Sequence, residues 1–296
     1  MALGAPFWRF WCAAVLVNVG DGIRLAAFPL LAASLTNSPA AVGFVAAVAT
    51  LPWLVTVLPA GSLADRRGAR ALLVISDAVR ISVLIILVVA LVGGVASVSL
   101  VAVVAFVLGV GETVRDTAAQ TVIPRLVSPA LLQRANSRLV AGEVAGNEFV
   151  GPLVGGVLFA MGAALPFVAN SASLAIGILL VLSVPAALLT FATPGDEPDE
   201  AIASGVRAGL AWLGRHRTLR TLALAAAFVA LADSAWFAIF VLYTDVRLDL
   251  NAVGFSTLLA VGALGGLGGA WAADRFIARD GHALVLLASM AATTIT

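Results

Sequence analysis

Eight long apolar stretches separated by short polar segments constrain the fold of this chain more than any other feature. Each stretch contains about 20 or more mostly apolar residues, the length at which an α-helix crosses the hydrocarbon core of a bilayer. Such stretches predict membrane-spanning helices, because backbone polar groups in lipid must be satisfied within their own segment. The predicted spans lie near residues 10–35, 40–63, 71–93, 97–120, 139–162, 166–189, 219–243 and 253–274.

A ninth apolar stretch begins near Ala283 and reaches Thr296 after 14 residues. It is shorter than the roughly 20 residues that a span requires. We therefore expect the chain to end inside a helix, and to be a fragment or a truncated gene product. The fold class predicted is an all-α polytopic membrane protein.

Composition excludes several other classes of protein. The chain is 61% hydrophobic and 11% charged, whereas soluble domains carry roughly a quarter charged residues. Its 17 basic residues are all arginine, and a P-loop ATPase needs a lysine at the phosphates. One cysteine and two histidines exclude a disulfide framework and an ordinary zinc site. We expect no metal and no cofactor, and the formal charge of +1 indicates no nucleic-acid partner.

The arginines fall on one side of the predicted spans. The opposite side holds only Arg247, beside Asp245 and Asp249. Because basic loops stay in the cytoplasm, we expect a multi-pass protein with a cytoplasmic N-terminus. The arginines on the cytoplasmic side are Arg9, Arg66, Arg67, Arg70, Arg125, Arg134, Arg138, Arg207, Arg215, Arg217, Arg220, Arg275 and Arg279.

A polar linker divides the chain into residues 1–190, 191–218 and 219–296. The segment from Thr193 to Glu200 is too charged and proline-broken to enter lipid. Apolar residues at helical spacing follow in the linker and predict an amphipathic helix, which could lie on the membrane surface or pack on the protein's own loops. These apolar residues are Ile202, Val206, Leu210 and Leu213.

An internal repeat spans this linker. Asp21 recurs as Asp233 after 212 residues, and the triplet at 42–44 recurs at 253–255 after 211. The dipeptide at 65–66 recurs at 274–275 after 209. Three pairs at a nearly constant offset predict two copies of a six-helix unit, the first complete and the second comprising about two and a half helices.

The turn between spans 2 and 3 carries the first family motif. Residues 61–70 read GSLADRRGAR, and the pattern G-x-L-A-D-R-x-G-x-R resembles the loop between helices 2 and 3 of the major facilitator superfamily. The resemblance implies a major facilitator fold, and a conformational latch formed by Gly61, Asp65, Arg66, Gly68 and Arg70. A plain positive-inside hairpin is the alternative.

Span 5 carries the second motif. Gly151, Pro152, Gly155 and Gly156 fit the last six positions of G-x-x-x-G-P-x-x-G-G, and Gly146 lies one residue before the first glycine of that pattern. The pattern resembles the motif of drug:proton antiporters in this superfamily. Glycines four apart allow helices to approach closely, and the proline bends its helix. Small-residue spacing by itself would indicate packing only.

Charged residues inside spans are candidates for function because they are expensive in lipid. Asp21 with Arg24, and Glu112 with Arg115, are three residues apart and can neutralise each other. The candidates for a proton or cation site are Asp21, Glu112, Glu143, Glu148 and Asp233. The last three have no basic residue within one turn, which makes them better proton carriers than Asp21 and Glu112, and we expect those two to hold the shape or charge of the cavity. A structural network with Asp65 is the favoured interpretation for the remaining group, which consists of Asp77, Arg80, Arg115 and Asp116.

The segments at residues 18–22 and 109–112 are similar to one branch of the superfamily, the enterobactin-exporter-like and macrolide-efflux-like proteins. That resemblance implies a transporter rather than an enzyme, exporting a small hydrophobic drug or siderophore-like molecule by proton antiport across the bacterial cytoplasmic membrane. Its partners would be lipid, substrate and protons, and the full-length protein would be monomeric. A non-transporting remnant or membrane scaffold is the alternative. The membrane subunit of an ATP-driven exporter conflicts with the repeat and the charged turn.

Overall fold

A computed structural model describes residues 3–189 and 211–265, and every regular element in these ranges is a helix. The all-α prediction is confirmed. The predicted ninth stretch and most of the predicted linker, with its amphipathic segment, lie outside the described residues. The helices are α1 (Ala5–Leu35), α2 (Pro39–Arg67), α3 (Ala69–Val92), α4 (Val98–Leu126), α5 (Pro129–Met161), α6 (Leu165–Ser183), α7 (Arg217–Leu248) and α8 (Ala252–Gly265).

Local sequence signals explain where these helices begin and end. The side chain of Ser38 accepts a hydrogen bond from the amide of Ala41 and caps α2, and Ser97 caps α4 in the same way. A single residue, Gly68, separates α2 from α3 with φ 76° and ψ 141°. Glycine adopts this conformation without the steric cost that a side chain would bring, which confirms the tight turn predicted there.

Length and apolarity suit these helices to a bilayer. Five of the described helices, α1, α3, α4, α5 and α6, are long and apolar enough to cross a membrane. The helices α2 and α7 are as long, at 29 and 32 residues. The sixth helix ends at Ser183, earlier than the predicted boundary at 189, and a short 3₁₀ turn, Ala186–Leu188, follows Pro185.

The first six helices form two triplets, α1–α3 and α4–α6, that pack against each other in matching ways. In one set of contacts α1 packs against α5 and α6, and in the matching set α4 packs against α2 and α3. Helices α3 and α6 also contact each other. Exchanging the first triplet with the second preserves these contacts, so α1 and α4 occupy equivalent central positions in the bundle.

Two apolar clusters fill the bundle, one near each end. The proximal cluster lies where α1 and α3 begin and α4 and α6 end, and it includes Phe7, Leu73 and Val122. The distal cluster lies at the opposite end and includes Leu31 and Phe167. We use "proximal" and "distal" for these two ends of the bundle.

Glycines bring α5 against α1. The Cα of Gly22 lies 2.5 Å from where a Cβ on Gly151 would sit, and the carbonyl oxygen of Ile23 is equally close to a Cβ on Gly155. Between Val144 and Val150 the helix widens into a π-helical stretch, in which the amide of Gly151 donates to the carbonyl of Gly146. The wider turn accommodates the proline ring at position 152, which an α-helix would place against the carbonyl four residues earlier.

We expect Gly151→Ala to destabilise the protein by about 1–3 kcal/mol, because the new methyl group overpacks the α1–α5 contact. Thermal unfolding in detergent measures this change. Gly43→Ala is the matched control, since a Cβ at position 43 meets nothing within 4 Å. Equal stability of the two variants would contradict the inferred packing.

Candidate functional site

A layer of charged side chains lies between the proximal and distal apolar clusters. Its members come from the middle of α1, α3 and α4, the helices that also contribute to both clusters. Buried charge in such a position is stable only when it is paired. We call the following seven residues the charged ring: Asp21, Arg24, Asp77, Arg80, Glu112, Arg115 and Asp116.

Arg80 joins α3 to α1. Its guanidinium forms a short ion pair with Asp21 of α1, and its Nη1 lies 3.3 Å from Oδ1 of Asp77, one turn earlier on α3. The Arg80 side chain is fully buried, and the two carboxylates are nearly so. Gly111 of α4 makes room for it, because a Cβ there would lie 2.6 Å from Cγ of Arg80.

Asp77 then joins α3 to α4. Its Oδ2 accepts a hydrogen bond from Nε of Arg115 at 3.0 Å, so this carboxylate bridges two arginines. The next link lies along α4, where Nη1 of Arg115 is 4.0 Å from Oδ1 of Asp116. That last contact is the longest in the ring.

Arg24 joins α1 to α4 on the other side. Its Nη2 donates to Oε2 of Glu112 at 2.5 Å and lies 3.7 Å from Oδ1 of Asp21. The links therefore run from Glu112 through α1 and α3 and return to Asp116 on α4, with the sign of charge alternating at every step. Glu112 and Asp116 are one helical turn apart, so the ring closes on two carboxylates.

Two pairings differ from those predicted by spacing. Asp21 and Arg24 do form an ion pair at 3.7 Å, but Asp21 pairs more closely with Arg80. The expected neutralisation of Glu112 by Arg115 is wrong, because Glu112 accepts from Arg24 while Arg115 binds Asp77. The closer partners lie on other helices because their guanidinium nitrogens come nearer to the carboxylate oxygens than those of an arginine three residues away on the same helix.

The predicted network of Asp77, Arg80, Arg115 and Asp116 is present, and Asp21 belongs to it. The proposed link of that network to the turn between α2 and α3 is untested. Gly61, Asp65 and Arg66 lie in α2, and their contacts fall outside the described residues.

Arg70, assigned by resemblance to the latch, contacts α6. Its Nη2 donates to the carbonyl of Leu182 at 3.0 Å, and Arg9 of α1 donates to the neighbouring carbonyl of Ser183 at 2.9 Å. Arginines suit this position because the last carbonyls of a helix lack partners within it. In this structure the described side-chain contact of Arg70 ties the start of α3 to the end of α6. Its role as a latch stays a prediction.

Glu143 and Glu148 lie on α5 on either side of Gly146, and both side chains are exposed. Neither forms an ion pair within the described part of the chain. This agrees with the sequence, in which no basic residue lies within one turn of either glutamate. Glu143 interacts electrostatically with Glu148 and with Glu112 of the charged ring. The three glutamates therefore form one electrostatic group on α4 and α5. The side chain of Asp233 on α7 falls outside the described residues.

Two buried polar groups were missed by sequence reasoning. Asn170 of α6 is fully buried beside Gly20, and neither of its amide atoms has a partner among the described residues. Ser173 lies next to it and donates to the Asn170 carbonyl at 2.8 Å. An asparagine within an apolar span was the available signal, because amides are costly in lipid.

The distal end brings α5 against α8. A Cβ on Gly156 would lie 2.1 Å from Oγ of Ser256, and Ser256 is fully buried. Val241 of α7 and Phe255 of α8 belong to the distal cluster, whereas the proximal cluster contains no described residue of either helix. The start of α7 is correspondingly exposed.

Metal binding has little support from the described side chains. Within residues 3–189 and 211–265, no group of three or more His, Cys, Asp or Glu residues has an arrangement that could hold a metal ion. Arginines occupy the positions between the carboxylates of the charged ring instead. The described charged ring is built from ion pairs between arginines and carboxylates.

Comparisons with known proteins agree with this architecture. The profile of a major facilitator family, described as transmembrane secretion effector, matches residues 4–296. The multidrug efflux pump Tap of Mycolicibacterium fortuitum is 31% identical over 225 residues, which cover 74% of this chain and 54% of Tap. The chain thus spans about half the length of this curated relative.

Solved structures show the same fold at low identity. A bacterial homologue of the human lysosomal transporter Spinster, inward-facing and unoccupied, superimposes with a TM-score of 0.68 at 16% identity, covering 93% of this chain and 63% of that one. A bacterial homologue of the iron transporter ferroportin, also inward-facing, gives 0.67 at 17% identity, covering 95% and 70%.

We expect Arg80→Met to destabilise the protein by about 3–5 kcal/mol, because it leaves the carboxylates of Asp21 and Asp77 buried without their shared partner. Chemical or thermal unfolding in detergent measures the loss. Arg134→Met, at an exposed position on α5, serves as the control and should change stability by less than about 1 kcal/mol. A tolerated Arg80→Met would show that the ring is not a stabilising unit.

Proposed function

Because the chain belongs to the transmembrane secretion effector family of the major facilitator superfamily, we propose that it acts in secondary active export. The proposed cargo is a small hydrophobic molecule, drug-like or siderophore-like, moved across the bacterial cytoplasmic membrane in exchange for protons. The charged ring is the observation that most directly supports this proposal. Ionisable residues at the middle of membrane helices are costly and are retained mainly along ion or substrate pathways.

The relative Tap supports the choice of efflux. It is named as a multidrug efflux pump and is 31% identical to this chain. This chain covers about half of Tap, so the activity of a complete transporter is part of the proposal. A broad specificity for hydrophobic molecules fits a bundle in which apolar clusters lie on both sides of one charged layer.

Alternating access is the proposed mechanism, in which two bundles rock about a central site. The contacts of α7 and α8 with the distal cluster support it, because they bring helices of the proposed second bundle against the first. Arginine placement favours a cytoplasmic proximal end.

Glu143 and Glu148 are proposed to pass protons to and from the site. Their side chains are exposed and lack arginine partners in the described chain, so either can gain or lose a proton without breaking an ion pair. Asp233 is the corresponding candidate in the second half, at the position that repeats Asp21. The glycine-rich motif of α5 holds these glutamates close to α1.

Cells that express the gene should accumulate less of a lipophilic fluorescent dye than cells with an empty vector. An uncoupler should abolish the difference, because the proposed exporter draws on the proton gradient alone. Dye retention, measured with and without uncoupler, tests this. Retention identical to the empty vector would favour a non-transporting remnant or scaffold.

Glu148→Gln should slow dye efflux by about tenfold or more, equivalent to about 1.4 kcal/mol in the transport barrier, since glutamine cannot carry a proton. Initial efflux rates, normalised to the amount of protein in the membrane, give the comparison. Asp249→Asn is the matched control, as it changes a carboxylate in the turn after α7. Full efflux by Glu148→Gln would remove this residue from the proton pathway.

Gly156→Ala should also slow efflux, because its methyl group pushes against Ser256 where α5 and α8 meet. The expected result is a severalfold lower efflux rate at normal expression. Gly162→Ala is the control at the same end of α5, since a Cβ there makes ordinary contacts at 3.6 Å. Equal rates for the two variants would show that close contact between α5 and α8 is not needed for transport.

A further inference from the structure

We propose that the charged ring binds one proton, shared between Glu112 and Asp116 of α4, and that this proton controls the attraction between α1 and α4. Its role in transport depends on the proposed function, whereas its existence does not. Sequence spacing favoured other residues, namely Glu143, Glu148 and Asp233, as carriers.

The number of charges in the ring leads to this inference. Four carboxylates face three guanidinium groups, so the fully ionised ring has one net negative charge. A ring with an odd number of members cannot alternate in sign throughout, and two like charges must meet somewhere. An uncompensated charge in an apolar interior is costly, and one bound proton removes it.

The like charges meet at Glu112 and Asp116. These residues are four apart on α4 and interact electrostatically, and carboxylates at this spacing repel each other when both are ionised. Each remaining carboxylate, Asp21 and Asp77, lies between two arginines. The proton therefore belongs at the α4 pair rather than elsewhere in the ring.

The α4 pair is also the most exposed part of the ring. The side chain of Asp116 is 39% exposed and that of Glu112 is 17% exposed, while Arg80 is completely buried. The pair therefore lies at the edge of the ring rather than at its buried centre. The weakest link of the ring, the 4.0 Å contact between Arg115 and Asp116, lies at the same edge.

This count covers the described charged side chains of α1, α3 and α4 in the ring. Helix α1 contributes Asp21 and Arg24, and α3 contributes Asp77 and Arg80. Helix α5 adds further negative charge near Glu112 through Glu143 and Glu148, which favours a proton there. On α2, residues 65–67 are the charged positions, and their side chains fall outside the described residues.

Proton binding at this pair changes which helices attract each other. A proton on Glu112 weakens the 2.5 Å ion pair with Arg24 that joins α4 to α1. Arg24 is then drawn toward Asp21 on its own helix, 3.7 Å away. A proton on Asp116 leaves the pair of Glu112 and Arg24 intact. The position of the shared proton thus sets the strength of the α1–α4 contact.

Glu143 and Glu148 have a different role in this scheme. They are exposed, and no arginine links them to another described helix, so protonating them breaks no contact between helices. Glu143 interacts electrostatically with both Glu148 and Glu112. We infer that these α5 glutamates deliver the proton and that the α4 pair converts its arrival into a change in helix packing.

Infrared spectroscopy of the purified chain in lipid nanodiscs tests the shared proton directly. The carbonyl-stretch band of protonated carboxyl groups is compared at neutral pH among the wild type, Glu112→Gln, Asp116→Asn and the double variant. Each single variant should lose the amplitude of one carboxyl, because its ring then has three charges of each sign. The double variant should lose no more than either single one.

Several results would overturn the proposal. A wild-type amplitude retained in either single variant would show that charge balance does not place the proton. A double variant that loses twice the amplitude would indicate two independent protons. Loss of the band when sodium chloride replaces choline chloride at constant pH would show that an alkali cation occupies the site.

Asp116→Glu keeps the negative charge and should therefore keep the carbonyl-stretch band of the protonated carboxyl. This variant provides a test even if Glu112→Gln and Asp116→Asn fold poorly. The dye assay separates this proposal from the proposed function. A band that behaves as expected in a chain without efflux would support the proton site and refute export. Uncoupler-sensitive efflux without the band would support export and refute the shared proton.

Discussion

The ion pairs of Arg80 with Asp21 and Asp77 are the interaction on which the remaining structure depends. They lie at the middle of the bundle, where neither carboxylate can reach water, and they tie α3 to α1 between two apolar clusters. In lipid the hydrophobic effect does little to hold helices together. Buried charge pairs and close packing take over this role, and removing one partner would leave an unpaired charge that the interior cannot solvate.

Close packing around this centre depends on small residues placed where helices cross. Gly111 admits the stem of Arg80, Gly22 and Gly151 allow α5 to touch α1, and Gly156 receives Ser256 of α8. The π-helical stretch of α5 lies between these contacts and places Glu143 and Glu148 on either side of Gly146. Such widened turns are frequent at functional sites. The glycine-rich motif of α5 therefore both packs this helix against α1 and positions its two glutamates.

Much of the site could be anticipated from the residues. The charged positions in spans 1, 3 and 4 were singled out, as functional candidates or as a structural network, because such residues are rare in lipid, and the structure brings them together. Their partners could not be read from spacing. Glu112 pairs with Arg24 across helices rather than with Arg115 on its own. Helix rotation, which depends on packing against several neighbours at once, decides which guanidinium a carboxylate meets.

The sequence by itself determined the helical class, the approximate positions of the helices in the described ranges, the turn at Gly68 and the membership of the charged layer. Local rules suffice for these features: apolar length, glycine conformation and the cost of charge in lipid. Only the tertiary structure decided that the charges form one series of ion pairs whose two ends lie one turn apart on α4, and that Asn170 is buried against α1. These features depend on contacts among residues far apart in the chain, which no local pattern encodes.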